Sequence, residues 1–313
     1  MIYTLTMNPA IDLNITSKGL QKKSVNRTFD ETYTPNGKGV NVSYVLHKYA
    51  CETKIIGIFG GFSGTYVVDE SKRKGVDVKA IWIEEFTRIN VFLNDGDSEY
   101  KFVNQGPFVS EASKYELLEI LKTSKDMKYL SINGSTPRGI DLKFYKQILD
   151  LCKKKNVKII LDTSSTNLSK LLKYKPYLIK PNDDEMEMSY GFTTNSEEEI
   201  IFALKEVHKL GAQNILLTLG EKGSYFYDGK DIYKASAVEI KLLSSACAGD
   251  AFLGGFLSIY TKNEKHVVQA LKRASALGAN VAESNGLGLM DKVEEYSKQV
   301  EVVKLGGYSN DCK

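Results

Sequence analysis

Apolar runs of strand length recur along this sequence: IYTLTM, KIIGIFGG, KYLSING, VKIILDTS, YLIKPN and NILLTLG, each bounded by Gly, Asn or Asp. Near-continuous apolarity of that length suits strands buried on both faces, the condition of a parallel sheet covered by helices. Between the runs lie segments of helical period. Val42, Val45, Leu46 and Tyr49 share one face, as do Tyr115, Leu118 and Leu121, then Phe144, Ile148 and Cys152, then Ile200, Leu204 and Val207. Strand and helix alternate, so the sequence predicts an α/β fold, a mostly parallel sheet with helices on both sides. At 313 residues it has room for one large unit with an insertion.

Two stretches break the alternation. Residues 12–34 and roughly 80–104 carry short alternating runs with no helix between them, and NDGDS in the second reads as a hairpin turn. They are expected to form one small antiparallel flap. Its outer face carries Ile, Val and Phe that a lone small sheet cannot bury, which points to closure over a ligand or to pairing with a second subunit. The terminal GGYSNDCK reads as a frayed tail after a single domain over 1–305.

Charge and cysteine usage narrow the partners. The 42 basic and 39 acidic side chains give a formal charge of +3 with no basic block, which argues against nucleic acid. Cys51, Cys152, Cys247 and Cys312 form no CxxC pair, and the three histidines lack metal-ligand spacing. Neither an export signal nor a membrane-length apolar stretch is evident, so a reduced, cytoplasmic protein is expected.

Several short segments carry chemistry. In SSACAGDAFLGGF a turn of small residues feeds a helix start, where unpaired backbone N–H groups and the helix dipole make an anion site. Ala248 and Gly249 would let a phosphate approach the main chain. Asp250 beside it would repel that phosphate unless it serves the reaction, as the base that takes a proton from an attacking hydroxyl. The plainer reading is a helix cap, with Gly254 and Gly255 allowing close packing. LIKPNDDEMEMS places Asn182 and Glu185 where an amide and a carboxylate could meet Mg²⁺, or equally form an N-capping box. TYTPNGKGVNVSYVL sets Lys38 between glycines before an amphipathic helix, with Asn41 one turn in; it is another anion-friendly start or an ordinary glycine turn, and no Walker A loop exists in the chain. LTLGEKGSYFYDG offers Gly220 and Gly223 as a nucleotide-lining loop or a simple hairpin, and NPAID ends a first strand with Asp12 at an expected sheet edge.

Taken in order, NPAID, NGKGVNVS, IGIFGGFSG, TRINV, NQGP, NGSTPRG, LDTSS, KPNDDE, LTLGEKGS, CAGDAFLGGF and ALGANVAESNGLG resemble the PfkB (ribokinase-like) sugar kinases, within them the branch of 1-phosphofructokinase and tagatose-6-phosphate kinase. The resemblance runs from Met1 to about Leu305. It implies a three-layer α/β/α sandwich with a β-sheet lid, ATP and Mg²⁺ as cosubstrates, and γ-phosphoryl transfer to a hydroxyl of a ketose phosphate. The family's catalytic base falls on Asp250, and its anion hole on Cys247, Ala248 and Gly249. Asn182 and Glu185 take the magnesium motif, acting through water. Sugar hydroxyls would meet Asp12, Gly37 and Asn41; the phosphate already on the sugar would meet Lys38, Arg88, Arg27 and Asn90. Lys180, Asn182, Thr218, Gly220, Gly223 and Asn280 would surround the nucleotide.

The chain departs from that pattern in NGKG, where Asn36 replaces glycine, in CAGD, where Cys247 replaces glycine, and in Phe92, where lysine is common. Asparagine tolerates positive φ and cysteine does not, so strain is expected at Cys247. Its thiol, just before a helix start, is expected to have a lowered pKa if the loop faces the site, or to be an inert filler if it does not. The substrate expected from the resemblance is D-fructose 1-phosphate, giving fructose 1,6-bisphosphate, with D-tagatose 6-phosphate as alternative. A catalytically weak sugar-phosphate or nucleotide sensor is a competing class; a nicotinamide dehydrogenase fails for want of GxGxxG.

Overall fold

A computed structural model describes residues 1–163 and 168–306. Part of the LDTSS segment and the tail from residue 307, with Cys312, lie outside them.

The chain opens on β1 (Ile2–Thr6), then β2 (Ala10–Ser17) and β3 (Thr28–Asn36) before α1 (Lys38–Lys48). Next come β4 (Thr53–Gly60), α2 (Gly61–Arg73), β5 (Asp77–Ile83), β6 (Arg88–Asn94) and β7 (Glu99–Phe102). The middle alternates as the sequence predicts: α3 (Glu111–Thr123), β8 (Tyr129–Asn133), α4 (Leu142–Lys154), β9 (Lys158–Asp162), β10 (Leu178–Ile179), α5 (Asp183–Tyr190), α6 (Glu197–Lys209) and β11 (Ile215–Thr218). A hairpin of β12 (Ser224–Tyr227) and β13 (Ile232–Ala235) precedes α7 (Ala248–Tyr260), α8 (Val267–Ala282), α9 (Val293–Gln299) and β14 (Val302–Lys304).

Ten strands form the main sheet in the order β14-β13-β12-β11-β10-β9-β8-β1-β4-β5, parallel from β11 to β5. Alternation along β1 explains the layers: Tyr3 and Leu5 enter a core with α3, α4 and α6, whereas Ile2 enters the opposite core with α1, α7 and α8. Because the strands run parallel, Thr6, Asn133 and Asp162 stand in register at one carboxyl edge. In open α/β sheets that edge is where ligands bind.

The second sheet, ordered β3-β2-β6-β7, is the flap. It differs from expectation in two ways. β2 and β6 pair in parallel, with Asp12 opposite Asn90, so the flap is mixed rather than antiparallel. Residues 80–83 belong to β5, the edge of the main sheet, and the lid strand begins at Arg88. A turn at Gly96, φ 97°, closes the β6–β7 hairpin as NDGDS suggests. The lid leaves Val25, Phe29, Tyr33, Phe102 and Val103 exposed, though the isoleucines are more covered than expected. One helical face is also corrected: α3 buries Leu117 and Leu121 while Tyr115 is exposed, because the helix is rotated toward its i, i+4 pair.

Candidate active site

α7 begins without a side-chain cap. Cys247 sits in the left-handed region at φ 64°, and its carbonyl accepts the first helical bond, from Ala251 N at 2.9 Å. Ala248 N makes only a long 3.4 Å bond to Ser245 O, in keeping with the unfilled amides of any helix start. Small residues serve packing as well. A methyl on Gly254 would sit 2.7 Å from Val45 Cβ, so glycine there lets α7 lie tightly on α1. The packing half of the plainer reading therefore holds, while the start of α7 carries no side-chain cap.

Asp250, in the first turn of α7, is 6% exposed, and Asn41 Nδ2 donates to its Oδ2 at 2.8 Å. Burial pushes its carboxyl up to about 6; Asp162 adds to the rise, while Lys38, the Asn41 bond and Lys180 oppose it. The group is thus near its own midpoint at mildly acidic pH, which suits a proton acceptor working at neutrality. Cys247 overturns the expectation of a lowered thiol pKa. Burial together with the charges of Asp250 and Asp12 raises it well above the ordinary value, with Asn41 opposing. Burial is the largest cause, and the two carboxylates add to it.

Lys38 opens α1, after Gly37, whose φ of 144° and approach to Thr6 Oγ1, 2.9 Å from where a Cβ would stand, exclude other residues. Lys38 Nζ lies 3.2 Å from Asp162 Oδ1 and 3.8 Å from Glu185 Oε1. Burial pulls this ammonium down, but Asp162, Asp250 and Glu185 together outweigh it and hold it above its ordinary value. Lys180, after β10, also reaches Asp162 Oδ1 at 3.2 Å and faces Gly249, where a Cβ would stand 3.7 Å away. Asp162 is fully buried; burial would raise its pKa, yet the two lysines outweigh that and keep it low.

Asn182 and Glu185 adopt the capping box. Asn182 Oδ1 accepts from Glu185 N at 2.7 Å, and Glu185 Oε2 accepts from Asn182 N at 3.2 Å. Thr218 N bonds Pro181 O at 3.1 Å, bringing the end of β11 beside this start, and Gly220 and Gly223 bracket the short 3₁₀ turn that follows. Asn280, buried on α8, accepts from Lys292 N at 2.9 Å and so secures the segment before α9.

On the lid side, Asn90 Nδ2 donates to Asp12 Oδ1 at 2.8 Å and Asn36 Nδ2 donates to Asp12 Oδ2. Asp12 lies within β2 rather than at the end of β1. Burial raises its pKa, with Asn90, Asn36 and the Arg88 charge opposing. Arg88 donates to Asn104 O at 2.8 Å and Asn8 O at 3.1 Å, and reaches Ser135 Oγ at 3.5 Å. Arg27 does not join them. It is exposed just before Thr28, which pairs with Ser17, whereas Asp12 pairs with Thr34. Six strand positions put it roughly 20 Å away within one chain. Lys38 likewise turns to Asp162 and away from the expected phosphate clamp.

Residues absent from the sequence reading complete the floor. Among the described residues, Asp162 Oδ2, both amide atoms of Asn133 and Thr163 Oγ1 are buried without a hydrogen-bond partner, as are Arg88 Nε and Asn8 Oδ1. Native proteins rarely leave such atoms unpaired, so the cluster has polar capacity to offer a ligand. Asp162 had a signal, an acid ending a buried strand; Asn8 and Ser135 had none. The oxygens of Asp162, Asn133 and Thr163 suit Mg²⁺, which takes few protein oxygens and fills its shell with water and phosphate. Among the described residues no group of three or more His, Cys, Asp or Glu side chains could hold a metal alone.

The pfkB family carbohydrate kinase model matches residues 2–293. A D-tagatose-1-phosphate kinase of Klebsiella oxytoca is 47% identical over 97% of this chain and 100% of its own length. A second protein of that name, from Bacillus licheniformis, is 39% identical over 97% and 100%, and a Bacillus subtilis 1-phosphofructokinase 30% identical over 97% and 100%. The fold is shared with phosphofructokinase-2 of Escherichia coli, with a TM-score of 0.88 at 23% identity over 95% of this chain and 98% of that one.

Proposed function

This chain belongs to the pfkB family of carbohydrate kinases, and on that footing we propose that it is an ATP-dependent ketose-1-phosphate kinase whose preferred substrate is D-tagatose 1-phosphate, giving the 1,6-bisphosphate. The observation that carries the substrate is the 47% identity to a D-tagatose-1-phosphate kinase over its whole length. Relatives named 1-phosphofructokinase are more distant, so D-fructose 1-phosphate, the expectation from sequence, becomes the second reading.

In this reading the sugar lies under the lid, its ring hydroxyls on Asp12 and Asn41 with the Gly37 main chain, and its phosphate on Arg88 with Asn90 nearby. The buried, unpartnered Arg88 Nε and the neighbouring Ser135 hydroxyl favour that placement. Asp250 accepts the proton of the acceptor hydroxyl as its oxygen bonds to the γ-phosphorus and the bond to ADP breaks. The amides of Cys247, Ala248 and Gly249 at the start of α7, with Lys38 and Lys180, stabilise the transferring group's charge. Magnesium would neutralise nucleotide phosphate charge, held by Asp162 and Asn133 directly and by Asn182 and Glu185 through water. Thr218, Gly220, Gly223 and Asn280 border the nucleotide. Cys247 accepts the left-handed turn and α7 starts on schedule, which supports a working anion hole over a binding-only relative.

The exposed apolar side chains of the lid favour a homodimer through that sheet, checked by sedimentation. The function is tested by ADP release with D-tagatose 1-phosphate, D-fructose 1-phosphate, D-tagatose 6-phosphate and D-fructose 6-phosphate. The highest kcat/KM should fall on D-tagatose 1-phosphate; preference for either 6-phosphate would overturn the reading.

A further inference from the structure

Asn36, the last residue of β3, joins two carboxylates that the reaction uses for different purposes. Its Nδ2 donates to Asp12 Oδ2. Its Oδ1 accepts from Gly37 N at 2.6 Å and from Asn41 Nδ2 at 2.7 Å. The same Asn41 Nδ2 faces Asp250 Oδ2 at 2.8 Å and Cys247 Sγ at 3.3 Å. An unbroken path therefore runs from the lid carboxylate, through two amides, to the carboxylate in the first turn of α7.

The path fixes orientation at each joint. Asn36 has its amide nitrogen committed to Asp12 and its oxygen to two donors, so it cannot flip without breaking three bonds. Asn41 has two amide hydrogens for three acceptors, so its division between Asn36, Cys247 and Asp250 depends on all of them. Cys247 and Asn36 meet on this one amide. Glycine at position 36 would supply no atom to either side. Asn36 is extended and is not among the residues of positive φ, so backbone tolerance does not explain its presence.

Resting on the ketose-phosphate kinase reading above, we propose that Asn36 is a positioning residue that couples Asp12, which reads a ring hydroxyl, to Asp250, which takes the acceptor proton, and thereby sets discrimination between ketose 1-phosphates epimeric at that hydroxyl. With the correct epimer on Asp12, the Asn36 and Asn41 amides keep Asp250 Oδ2 oriented toward the acceptor. A misplaced hydroxyl disturbs Asp12, and the disturbance reaches the base as a lost orientation. Selectivity then enters in kcat as well as in KM.

The test compares the native enzyme with Asn36→Gly and Asn36→Asp, using D-tagatose 1-phosphate, D-fructose 1-phosphate and ATP. Asn36→Gly should lower kcat for the preferred epimer about tenfold, leave the KM for ATP within about twofold, and bring the kcat/KM ratio of the two epimers toward one. Asn36→Asp keeps shape and the oxygen offered to Asn41 but sets a like charge against Asp12, so it should lose more kcat than Asn36→Gly. It also provides a folded comparison should glycine destabilise the strand, with thermal unfolding of each variant recorded beside the kinetics. An epimer ratio unchanged in both variants, or losses that follow their unfolding temperatures alone, overturns the inference while the kinase reading stands. A native enzyme that phosphorylates neither epimer overturns the reading itself, and the inference with it.

Discussion

Helices α5 and α7 both begin beside the Lys38–Asp162–Lys180 cluster, yet their amino termini are finished in opposite ways. α5 closes on itself: Asn182 and Glu185 exchange side-chain-to-backbone bonds, and Asp183, Asp184 and Glu185 crowd the first turn. α7 has no side-chain cap, a left-handed cysteine before it, small residues first, and a single acid in its first turn. A capping box uses up amides that an anion could have taken, whereas an uncapped start leaves them for a ligand. The pair sets a helix start closed by its own side chains against one left open to a ligand, both at the same site.

The sharpest attempt to break the contrast is Asp250→Asn. It keeps shape and removes the proton acceptor, so kcat should fall about 10²- to 10⁴-fold with ATP binding preserved by calorimetry. Near-normal turnover would remove Asp250 from the chemistry. Stability should not fall with activity. Its folded pKa of about 6 exceeds the ordinary 3.8, so the folded state binds more protons between those values and loses stability as pH rises through them. Deleting that penalty should leave the variant unfolding at no lower a temperature than the parent at pH 7.

The same displaced pKa predicts the pH profile. Below about pH 6 the base is protonated, so kcat/KM should drop about tenfold for each further pH unit, with a plateau toward neutrality. A profile flat down to pH 5 would count against a buried base.

Arg88→Ala tests whether the lid side holds the phosphate already on the sugar. Losing a charge-assisted contact of about 2 kcal/mol should cost the sugar phosphate about thirtyfold in kcat/KM and spare the KM for ATP. Equal losses for both substrates would place Arg88 elsewhere in function.

Smaller effects compare the helix starts directly. Asn182→Ala removes a cap and should cost about 1 kcal/mol in denaturant unfolding. A fall in kcat beyond what that lost stability explains would support the magnesium role proposed for Asn182, whereas a loss of stability alone would leave α5 a purely structural start. Cys247→Gly relieves a left-handed cysteine and should gain about 1 kcal/mol or less, since glycine returns part of it as chain entropy. In the native protein, alkylation of Cys247 at neutral pH should be slow because its thiol is held protonated; rapid labelling would contradict that.

Much of this architecture is legible from local pattern. The apolar runs ending at Thr6, Asn133, Asp162 and Thr218 read as buried strands because nearly all of their residues, Lys158 the exposed exception, are covered on both faces. The start of α7 and the left-handed strain at position 247 are readable because both depend on residues a few places apart. Other features are not. The lid's mixed pairing is hidden because β2 pairs in parallel with β6, a partner over seventy residues away, and the amide of Asn90 opposite Asp12 has no sequence neighbour that announces it. Asn8 and Ser135 bond each other at 3.1 Å and meet Arg88 only after two separate loops converge on the start of β6.

What the sequence determined by itself, then, was the alternation of strands and helices, the glycine turns, and the candidate base, since these rest on short-range sterics and hydrophobic period. Tertiary structure alone decided which charges face one another. Cys247 illustrates the division: its place before a helix start is read from its neighbours in sequence, but its raised pKa comes from burial and from Asp250 and Asp12, the second of them brought from the other end of the chain. A local dipole is fixed by neighbours in sequence, whereas the field at a buried group is summed over neighbours in space, and folding chooses those.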